Sequence, residues 1–444
     1  MALVSPMPWQ PPVIDAACTA LSRKCSFLDG SDTGIGKSYS TCFAAVRLNV
    51  RLGVVCPMSV IPSWIEAAER TGARLAFVGN IESLKTGADG WLRRRGAHQW
   101  QWNIPSDVRL VFDEVHRYKH STTQNGKILR DAPRPVIMLS GTPFSGPHEA
   151  RAIGHQLGLF HWDDFDSWAG QNGCRYGNFG GVEFVGINRV PRGAPDPTPA
   201  QIEAAKAEIL DRIHRQIHHT GRGIRVRKSD LGDLFPAIRR ETRLLPTENA
   251  EILDAAYLEE LEQLQAEAVN GGVEFLRARQ ISEFSKLPHV IDMIEDLQST
   301  GRSVLVFVNF RDSLERLRKH FEDQRPAMIY GGQDEEGIPR EGERLRFQRD
   351  ETQLWLAMIQ AGGIGISGHD LNGRYPRSSL ILPGVSAEQV IQADGRDHRA
   401  GGLTPVDHYF LFSDCAVERQ IRRRLDEKIN NITTLLDGDL TPRV

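Results

Sequence analysis

Eight residues near the N-terminus, Ser31-Asp32-Thr33-Gly34-Ile35-Gly36-Lys37-Ser38, have the types and spacing of a loop that grips phosphate. They match the P-loop pattern with Ser31 in place of its first glycine. A strand is predicted to end at Asp29 and a helix to run over 38–50, so the loop joins a strand to a helix N-terminus. Thr33, Gly34 and Gly36 would let backbone N–H groups close on phosphate oxygens, in the positive potential at the start of the helix. Lys37 would reach the β- and γ-phosphates of a nucleotide, and the Ser38 hydroxyl would ligate Mg²⁺. A plain glycine turn between strand and helix would give the same short pattern.

A second constellation narrows the choice. Leu110-Val111-Phe112 runs directly into Asp113-Glu114-Val115-His116. A solvated acidic turn does not account for two carboxylates at the C-terminal end of a buried strand, which is where α/β sheets place their ligands. The pair suits metal-assisted phosphoryl transfer. Asp113 would hold Mg²⁺ directly or through water, and Glu114 would polarise the attacking water.

These residues need a scaffold, and the pattern predicts one. Short apolar runs at 52–56, 75–78, 108–112 and 136–139 read as buried strands alternating with helices, which implies a parallel α/β sheet. A second series begins near residue 303, with strands predicted at 304–308, 328–330, 354–358, 379–382 and 408–412 and a helix at 313–321. Between the two blocks, residues 170–195 look irregular, 191–199 read as a Pro/Gly linker, and 199–219 and 248–280 read as amphipathic helices. The expected division is 1–150, 151–280 and 281–444. A length of 444 residues suits two or three domains at roughly 150 residues each.

Composition bounds the rest. Hydrophobic residues make up 40% and charged residues 25%, which excludes bulk disorder, collagen and coiled coil. With 54 basic and 57 acidic residues the net charge is −3, so a uniformly basic nucleic-acid coat is excluded and any phosphate-binding surface is a local patch. The six cysteines form no CxxC pair and sit at no zinc-finger spacing from histidine, so reduced thiols in a cytoplasmic setting are expected. Neither a signal peptide nor a membrane span is expected, and no membrane partner.

Beyond the two nucleotide motifs, the chain resembles superfamily 2 helicases and translocases over most of its length. Asp113–His116 match the family's DExH box and Ser140-Gly141-Thr142-Pro143 its motif III. Val54-Val55-Cys56-Pro57 followed by Trp64 is similar to motif Ia, and residues 80–84 stand where motif Ib would be. Trp9-Gln10 resembles the upstream glutamine motif, which implies that Gln10 reads adenine. In the second block, 307–314 resembles motif IV and Gln360–Ile366 motif V, with Gly362 near phosphate and Gly365 near nucleotide. Gln392, Arg396 and Arg399 fit the QxxGRxxR of motif VI. The two arginines lie three apart, so both could approach one γ-phosphate. The resemblance implies two RecA-like lobes, with ATP and Mg²⁺ as cofactors.

Within that superfamily the chain looks nearest to the Swi/Snf-type group and its phage and large-DNA-virus members. The cues are VVCPxSxxxxW, the SGTP of motif III, and Arg225-Val226-Arg227-Lys228 with the following Leu234-Phe235-Pro236. Motif V lacks the usual asparagine after its glycines, and motif VI ends Arg399-Ala400-Gly401-Gly402 where Gly-Gln is common. Those departures and the short chain favour a minimal DNA motor over a nucleosome remodeller. Candidate nucleic-acid contacts are Pro57, Ser59, Ser83, Lys85, Asn309, Arg311, Gly362 and Gly363, with Arg225, Arg227 and Lys228 as the preferred basic element. Trp91, Trp100 and Trp102 bracket Arg93–Arg95 and could stack on unpaired bases, but Trp100 and Trp102 are expected instead to pack beneath the strand leading to Asp113.

Three functions fit these residues: a DNA helicase or duplex translocase, an RNA-directed DExH helicase, and an ATP-dependent binding switch. Intact Glu114, Gln392, Arg396 and Arg399 argue against the switch. SGTP favours DNA over RNA by resemblance. Replication, recombination or repair proteins are further candidate partners.

Overall fold

The computed structural model describes residues 3–437 apart from 97, 178–180, 190–192, 194, 248–250, 252–254, 256–270, 335 and 363–366. The chain forms two compact units, Met1–Leu231 with Lys428–Val444, and Gly232–Glu427. Each is built on a six-stranded, wholly parallel sheet. These are the two parallel α/β sheets that the strand–helix alternation predicted.

In the first unit the strands are β1 (Phe27–Asp29), β2 (Arg51–Val55), β3 (Arg74–Gly79), β4 (Val108–Asp113), β5 (Ile137–Leu139) and β6 (Gly223–Ile224), in the order β6-β1-β5-β4-β2-β3. Their side chains alternate between faces, as the two-residue period of a strand requires. Phe27, Val54, Val111 and Ile137 pack on one side with the apolar stripes of α1 (Gln10–Ser22), α2 (Lys37–Leu48) and α3 (Ile61–Thr71). Leu28, Val55, Phe112 and Met138 pack on the other with Tyr118, Ile128, Leu129 and Ile153.

Two features were not expected here. Of the bridge expected over 151–280, residues 151–231 fall in the first compact unit. Helix α4 (Pro199–His218), capped by a reciprocal Thr198–Gln201 box, buries Ile209, Leu210, Ile213 and Ile217 in that unit's core. The chain then adds β6 at the sheet edge. The segment expected to be irregular contains a hairpin, Cys174–Tyr176 with Val182–Phe184. Leu92–Arg94 and Trp100–Trp102 form another. Trp102 lies edge-on to Phe112 at 6.0 Å and donates to the Ile128 carbonyl at 3.1 Å, while Arg93 and Arg95 are exposed. Trp100 and Trp102 are buried anchors in the core that includes Phe112 of β4.

In the second unit the strands are β7 (Ile238–Leu245), β8 (Ser303–Val308), β9 (Ala327–Ile329), β10 (Leu354–Met358), β11 (Arg377–Ile381) and β12 (Val406–Ser413), ordered β7-β12-β11-β8-β10-β9. Val304, Val306 and Val308 bury against Val290 and Ile294 of α5 (Gly271–Ser299) and Leu314 and Leu317 of α6 (Arg311–His320). Strand β7 carries no clear apolar signal, because Arg239, Arg240, Glu241 and Arg243 fill half of it. It is an edge strand, where charged side chains discourage pairing with another chain. Two further helices carry the C-terminal part, α7 (Ala387–Asp394) and α8 (Ala416–Asp437), and residues 428–437 of α8 count with the first unit. Most of the helix expected at 248–280 lies outside the described residues. Among the described residues, no helix is long and apolar enough to cross a membrane.

Candidate functional site

Strand register brings the first unit's chemistry to one edge. Asp29 of β1 pairs with Leu139 of β5, which pairs with Asp113 of β4. The three strands therefore end level, and each runs directly into a candidate motif: the 30–36 loop, Ser140–Pro143, and Glu114.

The loop is held from several sides. Lys37 Nζ donates to the Ser31 and Asp32 carbonyls at 2.8 and 3.0 Å, so the ammonium sits inside the loop's curve. Gly34 and Gly36 adopt φ of 80° and 89°. A Cβ on Gly36 would stand 2.8 Å from Gln10 Nε2 and displace that amide, and the positive φ itself favours glycine. Gln10 Nε2 donates to the Gly36 carbonyl at 3.1 Å, and the Trp9 indole to the Ile35 carbonyl at 2.9 Å. The Trp9-Gln10 pair is thus seated on the phosphate loop. Gly141 lies against the same loop, where a Cβ would stand 3.4 Å from the Ser31 carbonyl and 3.7 Å from Thr33 Cγ2.

Ser31, the departure from the P-loop pattern, has a use. Its hydroxyl accepts from the Val226 N–H at 2.9 Å. Asp32 N–H donates to the Val226 carbonyl at 3.0 Å, and Lys228 N–H donates to Asp32 Oδ2 at 2.9 Å. Arg225 donates to the Gly30 carbonyl at 2.7 Å, pairs with Asp32 at 3.0 Å and pairs with Asp437. Its side chain is 14% exposed. Arg225, expected to touch nucleic acid, is placed as a brace on the nucleotide loop, because β6 joins the sheet directly beside β1. Arg227 pairs with Asp230 at 2.9 Å, half-buried.

Next to the loop stand the two carboxylates. The buried Trp64 indole donates to Asp113 Oδ2 at 2.9 Å, and Glu114 N–H donates to Oδ1 at 3.0 Å. Burial, with Glu114 adding repulsion, pushes the Asp113 carboxyl up to about 6. Glu114 has φ 53°, a left-handed conformation that costs a non-glycine residue energy and turns its side chain out of the strand direction. Its Oε2 lies 3.4 Å from His116 Nδ1, which lies 3.1 Å from Ser140 Oγ. Ser140 Oγ in turn accepts from Thr142 N–H at 3.0 Å. Motif III is therefore connected to Glu114 through one histidine.

Asp29 was not among the expected site residues. It is buried, Oδ1 accepts from Ser31 N–H at 3.0 Å, and Oδ2 has no hydrogen-bond partner among the described residues. Burial raises its pKa, against the pull of Lys37. The signal was present in the sequence, since Asp29 ends an apolar run just as Asp113 does.

This donor set fits Mg²⁺ held together with phosphates. Ser38 stands on the first turn of α2 and Asp113 at the end of β4, one strand removed from β1, and Mg²⁺ commonly takes one or two carboxylates plus substrate oxygens. Among the described residues, no group of three His, Cys, Asp or Glu converges as an all-protein metal cage.

In the second unit, Gln392 and Arg396 are buried. Arg396 Nε donates to the Gln392 carbonyl at 2.9 Å and Arg399 Nε to the Gly395 carbonyl at 3.0 Å. Gly368 N–H donates to the Arg396 carbonyl at 2.8 Å, tying the segment after motif V to motif VI. Gly365 and Gly363 lie outside the described residues, and Gly362 closes a short helix, Ile359–Gly362.

The remaining nucleic-acid candidates differ in availability. Ser83 is exposed, and its N–H is capped by Asn80 Oδ1 at 2.7 Å. Pro57 is buried at the start of a single 3₁₀ turn containing Ser59. Lys85 pairs with Glu82 at 2.9 Å. Asn309 is committed internally: Nδ2 donates to Glu283 at 2.7 Å and to the Leu382 carbonyl at 2.9 Å, and its N–H also donates to Glu283. Arg311 stacks on Tyr330 at 3.5 Å and pairs with Glu315 at 3.1 Å.

No family model matches the chain. A protein of Acanthamoeba polyphaga mimivirus described as a candidate ATP-dependent RNA helicase is 27% identical over 93% of this chain and 80% of its own length. The Xenopus tropicalis SWI/SNF-related matrix-associated actin-dependent regulator of chromatin subfamily A-like protein 1 is 23% identical over 94% of this chain, which spans only 43% of that protein. The Sulfolobus solfataricus SWI2/SNF2 ATPase core in complex with dsDNA aligns over 99% of this chain and 94% of its own, at 15% identity and a TM-score of 0.37. By its motifs and these sequence relatives, the chain is kin to the ATP-hydrolysing superfamily 2 helicases and translocases, near their Swi/Snf-type and large-DNA-virus members.

Proposed function

We propose that this chain is an ATP-hydrolysing motor that moves along DNA. The observation that carries the reading is the level ending of β1, β5 and β4. It sets Asp113, Glu114 and Ser140 at the same end of the sheet as the P-loop and its Lys37.

In this reading the P-loop N–H groups and Lys37 hold the β- and γ-phosphates. Ser38 and Asp113 hold Mg²⁺, which neutralises charge on the phosphoryl group being transferred. Glu114 accepts the proton of the attacking water, and its link through His116 to Ser140 gives motif III a way to influence that base. Trp64 fixes the carboxylate of Asp113. Arg225 and Ser31 keep the loop in shape, and Gln10, already seated on the loop, contacts adenine. Arg396 and Arg399 stabilise charge in the transition state, with Gln392 beside them. Pro57, Ser59, Ser83, Arg311, Arg227, Lys228 and the backbone at Gly362 are the phosphate contacts to the nucleic acid.

DNA is preferred to RNA on the Swi/Snf-type cues. One observation favours the second reading, RNA: the mimivirus relative, matched along 80% of its length, is described by RNA. ATPase rates measured in parallel with single-stranded DNA, duplex DNA, forked DNA and RNA separate the two. Duplex or forked DNA should stimulate most. Stimulation by RNA alone installs the RNA reading, and stimulation by no polynucleotide installs the switch.

A further inference from the structure

Motif VI prescribes Gln392, Gly395, Arg396 and Arg399 and is indifferent to the residues between. Here two of those positions are carboxylates, Asp394 and Asp397, one on each side of Arg396. Three neighbouring strands meet them. Arg240 of β7, His408 of β12 and Ser379 of β11 are register partners in a row, so their side chains leave the same face of the sheet. Arg240 donates to both oxygens of Asp394, each at 2.8 Å. The His408 ring meets Asp394 Oδ1 with Nδ1 at 2.8 Å and Asp397 Oδ1 with Nε2 at 2.6 Å. Ser379 Oγ donates to Asp397 Oδ2 at 2.8 Å. Every carboxylate oxygen of the pair is thereby engaged.

We propose that His408 is a positioning residue for Arg396, acting through Asp394 and Asp397 as the centre of an Arg240–His408–Ser379 row that grips the chain on both sides of the arginine. The proposal rests on the reading that Arg396 acts on bound ATP.

Both ring nitrogens of His408 face carboxylate oxygens. A neutral imidazole has one N–H and would turn a lone pair toward one of them, whereas the imidazolium donates to both. The charges agree, since two carboxylates are balanced by Arg240 and a protonated His408. The histidine side chain and Asp397 are wholly buried, where an unbalanced charge is expensive. Burial alone would lower the pKa of His408, but Asp397 and Asp394 outweigh it and lift it to about 9. The other nearby acid on β12, Asp407, points to the opposite face and pairs with Arg302 at 3.0 Å. The grip closes at two points, the last residue of α7 and the residue after Arg396. It fixes the backbone that carries the arginine, while the guanidinium is held by the Gln392 carbonyl. Loss of the imidazolium would free one carboxylate and let the 394–397 backbone shift, and a catalytic group displaced by about 1 Å can lose on the order of 10²-fold in rate.

The test is DNA-stimulated turnover and the KM for ATP of the full chain, measured from about pH 6.5 to 10 for wild type, Arg396→Ala, His408→Ala, His408→Gln and Asp397→Asn. Comparing each variant with wild type at each pH cancels titrations they share. His408→Ala is expected to lower kcat roughly 10- to 10²-fold with KM for ATP held within about twofold. His408→Gln, whose amide can donate to one carboxylate only, should fall between. Wild-type kcat should decline above about pH 9, and His408→Gln should lack that decline. Should His408→Ala fail to fold, His408→Gln and Asp397→Asn decide alone. A His408→Gln enzyme with wild-type kcat and an unchanged high-pH limb overturns the proposal. Wild-type kcat in Arg396→Ala instead removes the reading beneath it, which is a distinct result.

Discussion

Asp113, Glu114 and Lys37 were legible in the sequence because phosphoryl transfer demands those residue types at fixed distances from glycines and strand ends. What they touch was not. Trp64 was visible only as part of a motif, and its indole reaches Asp113 across 49 positions of chain. Asp29 and His408 owe their surroundings to strand register, which no local pattern encodes. Lys37→Ala should reduce ATP turnover by on the order of 10²-fold or more, because a charge-stabilising donor is lost from the phosphoryl group. A steady-state phosphate-release assay checks it. Glu114→Gln should keep affinity for a fluorescent ATP analogue within a few-fold while turnover collapses, since an amide preserves shape but cannot take a proton. Trp64→Phe keeps most of the ring volume and leaves Asp113 Oδ2 without its donor. It should cost about 1–3 kcal/mol of stability, read as a lower denaturation midpoint with an unchanged slope.

At the scale of elements, apolar runs announced most strands to within two residues. β6 and β7 were hidden for opposite reasons. β6 is two residues long, and β7 is half charged, so its pattern reads as a surface patch. Both reassign arginines: Arg225 becomes part of the nucleotide loop's support and Arg240 part of the grip on motif VI. Arg225→Ala should therefore raise the KM for ATP several-fold while leaving the salt dependence of DNA binding unchanged, a pair of results that a DNA-contact role would reverse. The Asp394–His408–Asp397 cluster also predicts a stability profile. The folded pKa of His408, about 9, is above the roughly 6.5 of an unfolded chain. Its contribution is thus complete below about pH 6.5 and is lost as pH rises through 9. The carboxylates work the other way, since both sit below their ordinary values despite burial, Asp394 through Arg240 and His408 and Asp397 through His408. Their contribution is present above about pH 4 and lost as pH falls through their folded values. Urea midpoints across pH should fall at both ends, and the alkaline fall should be missing in His408→Gln.

For the whole molecule, a net charge of −3 and a role on nucleic acid are compatible if binding is made by local phosphate contacts. Exposed Arg93 and Arg95, on a hairpin anchored by buried tryptophans, show how basic side chains can be offered locally by an acidic chain. Binding should be nearly indifferent to sequence, with log K falling linearly in log salt by about 0.9 per duplex phosphate contacted. Yet binding and ATP turnover together still fall short of movement. Movement is seen most directly by displacement of a third strand from duplex DNA. A labelled triplex-forming strand is released only when something travels along the duplex into it. The account predicts ATP-dependent release by the wild-type chain and none by Lys37→Ala or Glu114→Gln at equal occupancy of the DNA. DNA-stimulated ATP hydrolysis with the third strand left in place would contradict it.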